Sequence, residues 1–217
     1  MRVPVVRDIL SANDQIAREN RDTFATTETF VVNLMASPGA GKTSLILATA
    51  ARLPQDVRPG VIEGDLASRI DADTVASHGI PVIQINTGGN CHLDAPMIRA
   101  ALGELPLPDI DLLFIENVGN LVCPAEFDLG ADLAVVVASA PEGHDKPYKY
   151  PGMFAAADVV LLNKADVAPV FDFDLDFFRR GVQMVNPIAP LFVVSCKTGV
   201  GMDDWVAWLL ARLTLTR

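Results

Sequence analysis

Long apolar runs are missing from this sequence. Half of its 217 residues are hydrophobic, yet no uninterrupted stretch reaches the roughly 20 needed to span a bilayer, which excludes a membrane-spanning helix. The opening residues, MRVPVVRDILSANDQIAREN, carry charges every few positions and no apolar segment, so no secretory signal is expected. Cysteine is scarce: Cys91, Cys123 and Cys196 are odd in number and widely spaced. That argues against the disulfide framework of a secreted domain and for a reducing, cytoplasmic setting. Clusters of Lys and Arg are absent too, and the net charge is −10 at pH 7. Such a surface repels nucleic acid and anionic lipid, so neither is expected as a partner. Internal repeats, low-complexity tracts and long linkers are also lacking, and the length suits one domain with its own core.

What is present is an alternation of short Val/Ile/Leu runs with helical stretches. Strands are expected at Phe30–Met35, Gly60–Glu63, Val82–Ile85, Asp111–Glu116, Leu133–Ala138, Val159–Asn163 and Leu191–Ser195. Helices are expected at Lys42–Arg52, Ala67–Ser77, Asp94–Leu102, Leu175–Met184 and Asp203–Ala211. Near-continuous apolar strands require cover on both faces, and alternation with helices implies mainly parallel pairing. The expected fold is therefore α/β: a seven-stranded, mainly parallel sheet with helices on both faces. Ahead of it, Ile9, Leu10, Ile16, Ala17 and Phe24 recur at helical spacing, predicting an amphipathic helix from Val6 to Phe24. The organisation read from this is one domain, with a helical extension over 1–28 and a nucleotide-binding core over 29–217.

The first predicted strand runs into Ala36-Ser-Pro-Gly-Ala-Gly-Lys-Thr43. Pro38, Gly39, Ala40 and Gly41 form a loop whose backbone N–H groups turn inward around phosphate oxygens at a helix start, followed by Ser44. Lys42 would reach the β- and γ-phosphates, and the Thr43 hydroxyl would ligate Mg²⁺. Ala36 departs from the glycine that opens the G-x-x-x-x-G-K-[ST] pattern. Ser37 stands where partition-type ATPases carry a second lysine, which argues against that group.

Asn163-Lys164-Ala165-Asp166, after a late strand, fits the N-K-x-D pattern of guanine recognition. The Asp166 carboxylate would accept from guanine N1–H and the exocyclic amine, donors that adenine lacks in that arrangement. Ser195-Cys196-Lys197 resembles the element that backs the base, with Cys196 read as a buried residue beside it. Asp65 and Glu116, at strand ends nearer the phosphate loop, could each hold Mg²⁺ directly or through water, or be solvated loop carboxylates. With Lys42 and Thr43 they are the catalytic candidates. No water-positioning glutamine or arginine finger is evident, so turnover should be slow.

Cys91 and His92 are adjacent, and Cys123 is a plausible third ligand for a soft or borderline metal. Free buried cysteines give the same pattern, so chemistry alone leaves this open. Three ligands fall short of a closed tetrahedral site, which suggests a labile site or one completed by a second copy of the chain. His78 and His144 have no evident partners.

Taken together, these strings resemble the HypB family, the GTPases that serve nickel insertion into [NiFe]-hydrogenase. The likeness covers Leu10-Ser-Ala-Asn-Asp14 with Asn20-Arg21, the loop Ser37–Thr43, Ile62-Glu-Gly-Asp65 and Gln84–Gly88. It continues through Cys91-His-Leu-Asp-Ala95, Ile115-Glu-Asn-Val-Gly-Asn-Leu-Val-Cys-Pro124, Asp145-Lys-Pro147, Asn163–Asp166 and Ser195–Gly199. The Cys-His-Leu-Asp-Ala and Glu-Asn-Val-Gly-Asn-Leu-Val-Cys strings are specific, whereas the nucleotide motifs are widely shared. The resemblance implies a slow GTPase using GTP/GDP and Mg²⁺, with Cys91, His92 and Cys123 forming a Ni²⁺ or Zn²⁺ site at a nucleotide-dependent homodimer interface. It implies two further partners, a nickel-binding hydrogenase accessory protein and the hydrogenase large subunit precursor. No Cys-x-x-Cys motif or histidine-rich tract precedes the core, so nickel storage and a separate N-terminal metal site are not expected. The alternatives are a metal-binding adaptor clamped by nucleotide, and a urease-type nickel-insertion GTPase.

Overall fold

A computed structural model of the protein describes residues 7–215, with side chains described from Ala12 onward. Helix α1 (Arg7–Thr26) leads into β1 (Phe30–Ala36), which is buried throughout. The chain then alternates: α2 (Lys42–Ala50), β2 (Pro59–Asp65), α3 (Ile70–Ser77), β3 (Val82–Asn86), α4 (Ala95–Leu102), β4 (Leu112–Glu116) and β5 (Leu133–Ser139). Two short helices follow, α5 (Lys146–Lys149) and α6 (Pro151–Ala155), before β6 (Val159–Asn163), α7 (Leu175–Val185), β7 (Leu191–Val193) and α8 (Met202–Leu215).

The seven strands form one parallel sheet in the order β3-β2-β4-β1-β5-β6-β7, the α/β architecture expected. Period-two alternation divides the core. From β1, Val32 and Leu34 face α2 and α8, where fully buried Trp205 donates from Nε1 to Thr49 Oγ1 at 3.0 Å. Val31 points to the other face, into the cluster of α1 and α4, and Met35 into that of α6 and α7. Because β1 is central and the chain winds outward from it on both sides, the carboxyl ends of β1 and its neighbours form the crevice where such sheets bind ligands.

Several boundaries differ from expectation. Strand β2 is longer, pairing from Pro59 opposite Leu112 to Asp65 opposite Asn86. The helix expected from Ala67 starts at Ile70 instead. Asp65 Oδ1 accepts the N–H groups of Ala67 (2.9 Å) and Ser68 (2.8 Å), and a side chain taking those amides holds a turn in place of a helix start. Strand β7 stops at Val193 rather than Ser195, because Ser195 N–H turns to the carbonyl of Val200 at 2.9 Å. Helices α5 and α6 had no counterpart in the sequence reading. Pro147 and Pro151 sit in their first turns, where a missing N–H removes no intrahelical bond. In α1, Ala17 and Phe24 are buried and Ile16 partly so; Val6 and the side chains of Ile9 and Leu10 lie outside the described residues. No described helix is long and apolar enough to cross a membrane.

Candidate functional site

The phosphate loop follows β1 directly. Gly39 (φ 76°) and Gly41 (φ 97°) take left-handed conformations, and Gly41 is the residue preceding α2. A side chain at Gly41 is doubly excluded: its Cβ would lie 2.6 Å from Asn163 Nδ2. Pro38, Gly39, Ala40, Gly41, Lys42, Thr43 and Ser44 thus form one continuous loop and first helical turn. Lys42 Nζ lies 3.9 Å from Glu116 Oε1, and Thr43 Oγ1 donates to the same oxygen at 2.9 Å.

Glu116 ends β4 beside Leu34 of β1 and opposite Glu63 of β2. Burial pushes the Glu116 carboxyl up to about 7, although Lys42 and Thr43 pull it down. Glu63 is pushed up to about 8 by burial and by the charges of Glu116 and Asp65. One oxygen of each carboxylate is buried without a hydrogen-bond partner. Asp71 joins them: one ligand atom from each of Glu63, Asp71 and Glu116 lies within 4.8 Å of the others. Asp65, by contrast, is held below the usual carboxylate range by the Ala67 and Ser68 amides and faces this cluster as an anion. Orphaned carboxylate oxygens beside a phosphate loop fit a Mg²⁺ site. Glu63, Asp71 and Glu116, with Thr43 bonded to Glu116, are the side chains close enough together to hold such an ion, which would neutralise charge on the phosphates. Asp65, the other expected ligand, is not in this group and has Oδ1 engaged by the Ala67 and Ser68 amides.

Sequence reasoning missed Glu63 and Asp71. The signal for Glu63 was present, as a charged residue at an inward position of an otherwise apolar strand. Glu142 was missed as well. Ser37 Oγ of the phosphate loop donates to Glu142 Oε1, and Ser139 Oγ donates to its Oε2 at 2.5 Å. Only the folded chain puts the loop after β5 against residue 37.

The expected base-recognition residues converge on the other side of the loop. Buried Asn163 donates from Nδ2 to the Ala40 carbonyl at 3.1 Å, and its Oδ1 accepts the N–H of Lys164 (2.7 Å) and Cys196 (3.3 Å). Lys164, in a left-handed conformation (φ 59°), donates from Nζ to the Gly39 carbonyl at 2.6 Å. Ser195 Oγ donates to Asp166 Oδ1 at 2.6 Å and accepts from Thr198 N–H at 3.1 Å. These bonds aim the exposed Asp166 into an open cleft of about 600 Å³, lined by Ser44, Lys164, Cys196 and Lys197 among others. Cys196 is only partly buried, less so than expected, and desolvation raises its thiol pKa. The two unassigned histidines do have partners: His78 Nδ1 lies 2.9 Å from the Thr74 carbonyl, and His144 Nδ1 accepts Asp174 N–H at 3.1 Å.

Cys91, His92 and Cys123 come together at the ends of β3 and β4. The two sulfurs are 2.9 Å apart, and Cys91 Sγ lies 3.8 Å from His92 Nδ1. The three ligand atoms fall within 4.8 Å of one another, close enough to share one ion. Contact with Cys91, with some desolvation, raises the Cys123 thiol pKa. A metal would displace that proton and bind the thiolates. The His92 ring stacks on Phe127 at 3.8 Å, which fixes its plane. Cys91 is exposed, so the site opens to the surface.

A phosphate loop at the centre of a parallel sheet, with a base cleft beside it, defines a P-loop nucleotide-binding protein. Residues 30–193 match the family described as CobW/HypB/UreG, nucleotide-binding domain. Hydrogenase maturation factor HypB of Escherichia coli (strain K12) is 50% identical over 202 residues, covering 93% of this chain and 70% of that protein. The hydrogenase/urease maturation factor HypB of Helicobacter pylori is 41% identical over 214 residues, covering 97% and 88%. Among solved structures, HypB from Helicobacter pylori in complex with nickel superposes with a TM-score of 0.90 at 40% identity, covering 94% of this chain and 95% of that one. HypB from Archaeoglobus fulgidus superposes at 0.88 with 39% identity, covering 94% and 100%. The chain belongs to the CobW/HypB/UreG family and is of the HypB type.

Proposed function

We propose that this protein is a slow GTPase whose cycle controls release of nickel during [NiFe]-hydrogenase maturation. The observation that carries the reading is a chain of contacts from the glycine loop and its strand to Cys123. Residues 117–123 leave β4 and run along the phosphate-binding strand. Asn117 N–H donates to the Leu34 carbonyl (3.0 Å) and Asn120 N–H to the Ala36 carbonyl (2.8 Å). Gly119 lies so near Pro38 that a Cβ there would approach it to 2.9 Å. At the end of the segment, Asn120 Nδ2 contacts Cys123 Sγ at 3.5 Å. In this reading a shift of the phosphate loop is passed along these contacts to Cys123.

In this reading Lys42 and the loop amides hold the phosphates, while Thr43 and Glu116, with Asp65 directly or through water, would hold Mg²⁺, whose charge would offset that developing on the γ-phosphoryl group. Asn163, Lys164, Asp166, Ser195, Cys196 and Lys197 hold guanine. Loss of the γ-phosphate relaxes residues 117–123 and distorts the Cys91–His92–Cys123 site, which releases its ion. Nickel is cargo here, and Zn²⁺ fits the same ligands. A second copy of the chain completes the three-ligand set, which makes the working form a homodimer. The supporting relatives are named for hydrogenase maturation, and the Helicobacter pylori one also for urease. A companion nickel-binding accessory protein and the hydrogenase large subunit precursor are the proposed partners, in the cytoplasm.

The test is nickel titration in GDP and in a non-hydrolysable GTP analogue, following thiolate-to-nickel absorption and oligomer mass, with phosphate release measured separately on GTP. Affinity that depends on nucleotide and vanishes in Cys91→Ala supports the switch. Equal affinity in both states overturns it, and binding without phosphate release would leave an adaptor with a nucleotide clamp.

A further inference from the structure

Helix α1 grips both segments that carry the metal ligands. Asn13, Ala17 and Asn20 follow at spacings of four and three, so they share one helix face. Asn13 is 5% exposed, Asn20 1% and Ala17 fully buried. Asn13 Oδ1 accepts the N–H of Ala95 at 2.9 Å, while its Nδ2 donates to the carbonyl of Asp128 at 2.9 Å. Asn20 Nδ2 donates to the carbonyls of Ala95 (3.0 Å) and Leu129 (3.2 Å). Between them, Gly130 packs so close that an added Cβ would lie 2.5 Å from the Ala17 carbonyl oxygen.

The path from these pins to the ligands is short and well held. Leu93 and Asp94 join Ala95 to His92. Leu93 is buried, its N–H donating to Asn117 Oδ1 at 3.1 Å, and Asp94 caps α4 by accepting from Met97 N–H at 2.9 Å. On the other side a single 3₁₀ turn, Cys123–Glu126, leads to Phe127, whose ring carries His92. Two loops far apart in sequence are thus referenced to one rigid element by two buried amides.

We propose that Asn13 and Asn20 are positioning residues for the Cys91–His92–Cys123 site, setting the separation of the two loops that supply it. The inference rests on the metal reading above. Removing either amide takes a hydrogen-bond partner from the backbone of residues 95, 128 and 129, of which Ala95 and Leu129 are buried, and each loop then relaxes independently. Metal ligands tolerate little misplacement, and loss of outer supports weakens metal sites even when the ligands remain. Neither asparagine makes a described hydrogen bond to the phosphate loop or the base loop.

The experiment compares Asn13→Ala, Asn20→Ala and Arg21→Ala in the full chain. Arg21→Ala removes only the exposed Arg21–Asp128 ion pair of the same helix and serves as control. Nickel affinity and the thiolate-to-nickel band are read beside GTP-analogue affinity and thermal midpoint. Each asparagine variant should lose about tenfold in nickel affinity with an altered band, while nucleotide affinity stays within about twofold and the control matches wild type. Asn13→Ser, which keeps a small uncharged polar group on that helix face, should fall between wild type and Asn13→Ala and provides a milder variant if alanine prevents folding. Unchanged nickel affinity and band, or nickel and nucleotide affinities falling together, would overturn the positioning role. A wild-type protein with no Cys91-dependent nickel band would instead sink the metal reading itself.

Discussion

Asn163 Nδ2 donates to the carbonyl of Ala40 at 3.1 Å across 123 positions of sequence, so the loop after β6 and the glycine loop after β1 are one hydrogen-bonded unit. Lys164 adds a second bond to the Gly39 carbonyl.

Asp166→Asn tests base choice. The amide places a donor where the carboxylate accepts from guanine, while xanthine has a carbonyl there that can receive it. GTP affinity should fall about a hundredfold or more, with XTP gained, because a site built for specific bonds rejects the wrong partner strongly. Fluorescent-nucleotide titration reads both, and equal affinities for the two nucleotides in wild type and variant would refute the assignment.

Thr43→Ala removes the hydroxyl bonded to Glu116 and a proposed Mg²⁺ ligand. Phosphate release should drop by about a hundredfold, with a smaller loss of nucleotide affinity. Unaltered turnover at saturating Mg²⁺ would exclude Thr43 from the metal site.

Gly119→Ala forces a methyl to within 2.9 Å of the Pro38 backbone, where nothing flexible can yield. A stability loss of about 1–3 kcal/mol is expected from the overpacking, with slowed GTP turnover. Urea unfolding and phosphate release measure the two. A variant with wild-type values for both would show that residues 117–123 do not bear on the phosphate loop.

Glu63 should make the nucleotide-free protein less stable as pH rises. Its carboxyl titrates near 8 in the fold against an ordinary 4.5, so the native state binds more protons than the unfolded chain between those values. Its contribution is fully present below about 4.5 and is lost as pH rises through about 8. Asp65, with a depressed pKa, acts in the opposite sense: its contribution is present above about 3.8 and is lost only as pH falls below that. Glu63→Gln keeps the shape without the charge and should be more stable than the parent at the alkaline end, with the two curves converging towards the acid end. Urea unfolding over a pH series shows this, and parallel curves would contradict it.

Much of the protein was legible in its sequence because the relevant constraints are local. Val/Ile/Leu runs must be covered on both faces, Gly39 and Gly41 permit a left-handed turn, and Asn163–Asp166 stands at the end of a strand, although its carboxylate is aimed by the distant Ser195. The metal trio was readable only through resemblance, since its spacing by itself fits buried thiols equally well. What local pattern could not contain is register and reach. Pairing of Glu63 with Glu116 depends on β4 inserting between β1 and β2, and Ser37 meets Glu142 only once β5 lies beside β1. Likewise Asn13 and Asn20 read as the polar part of an amphipathic helix. Their burial against Ala95 and Leu129 follows from how that helix packs, because long-range contacts are set by which faces meet and not by any residue's neighbours in the chain.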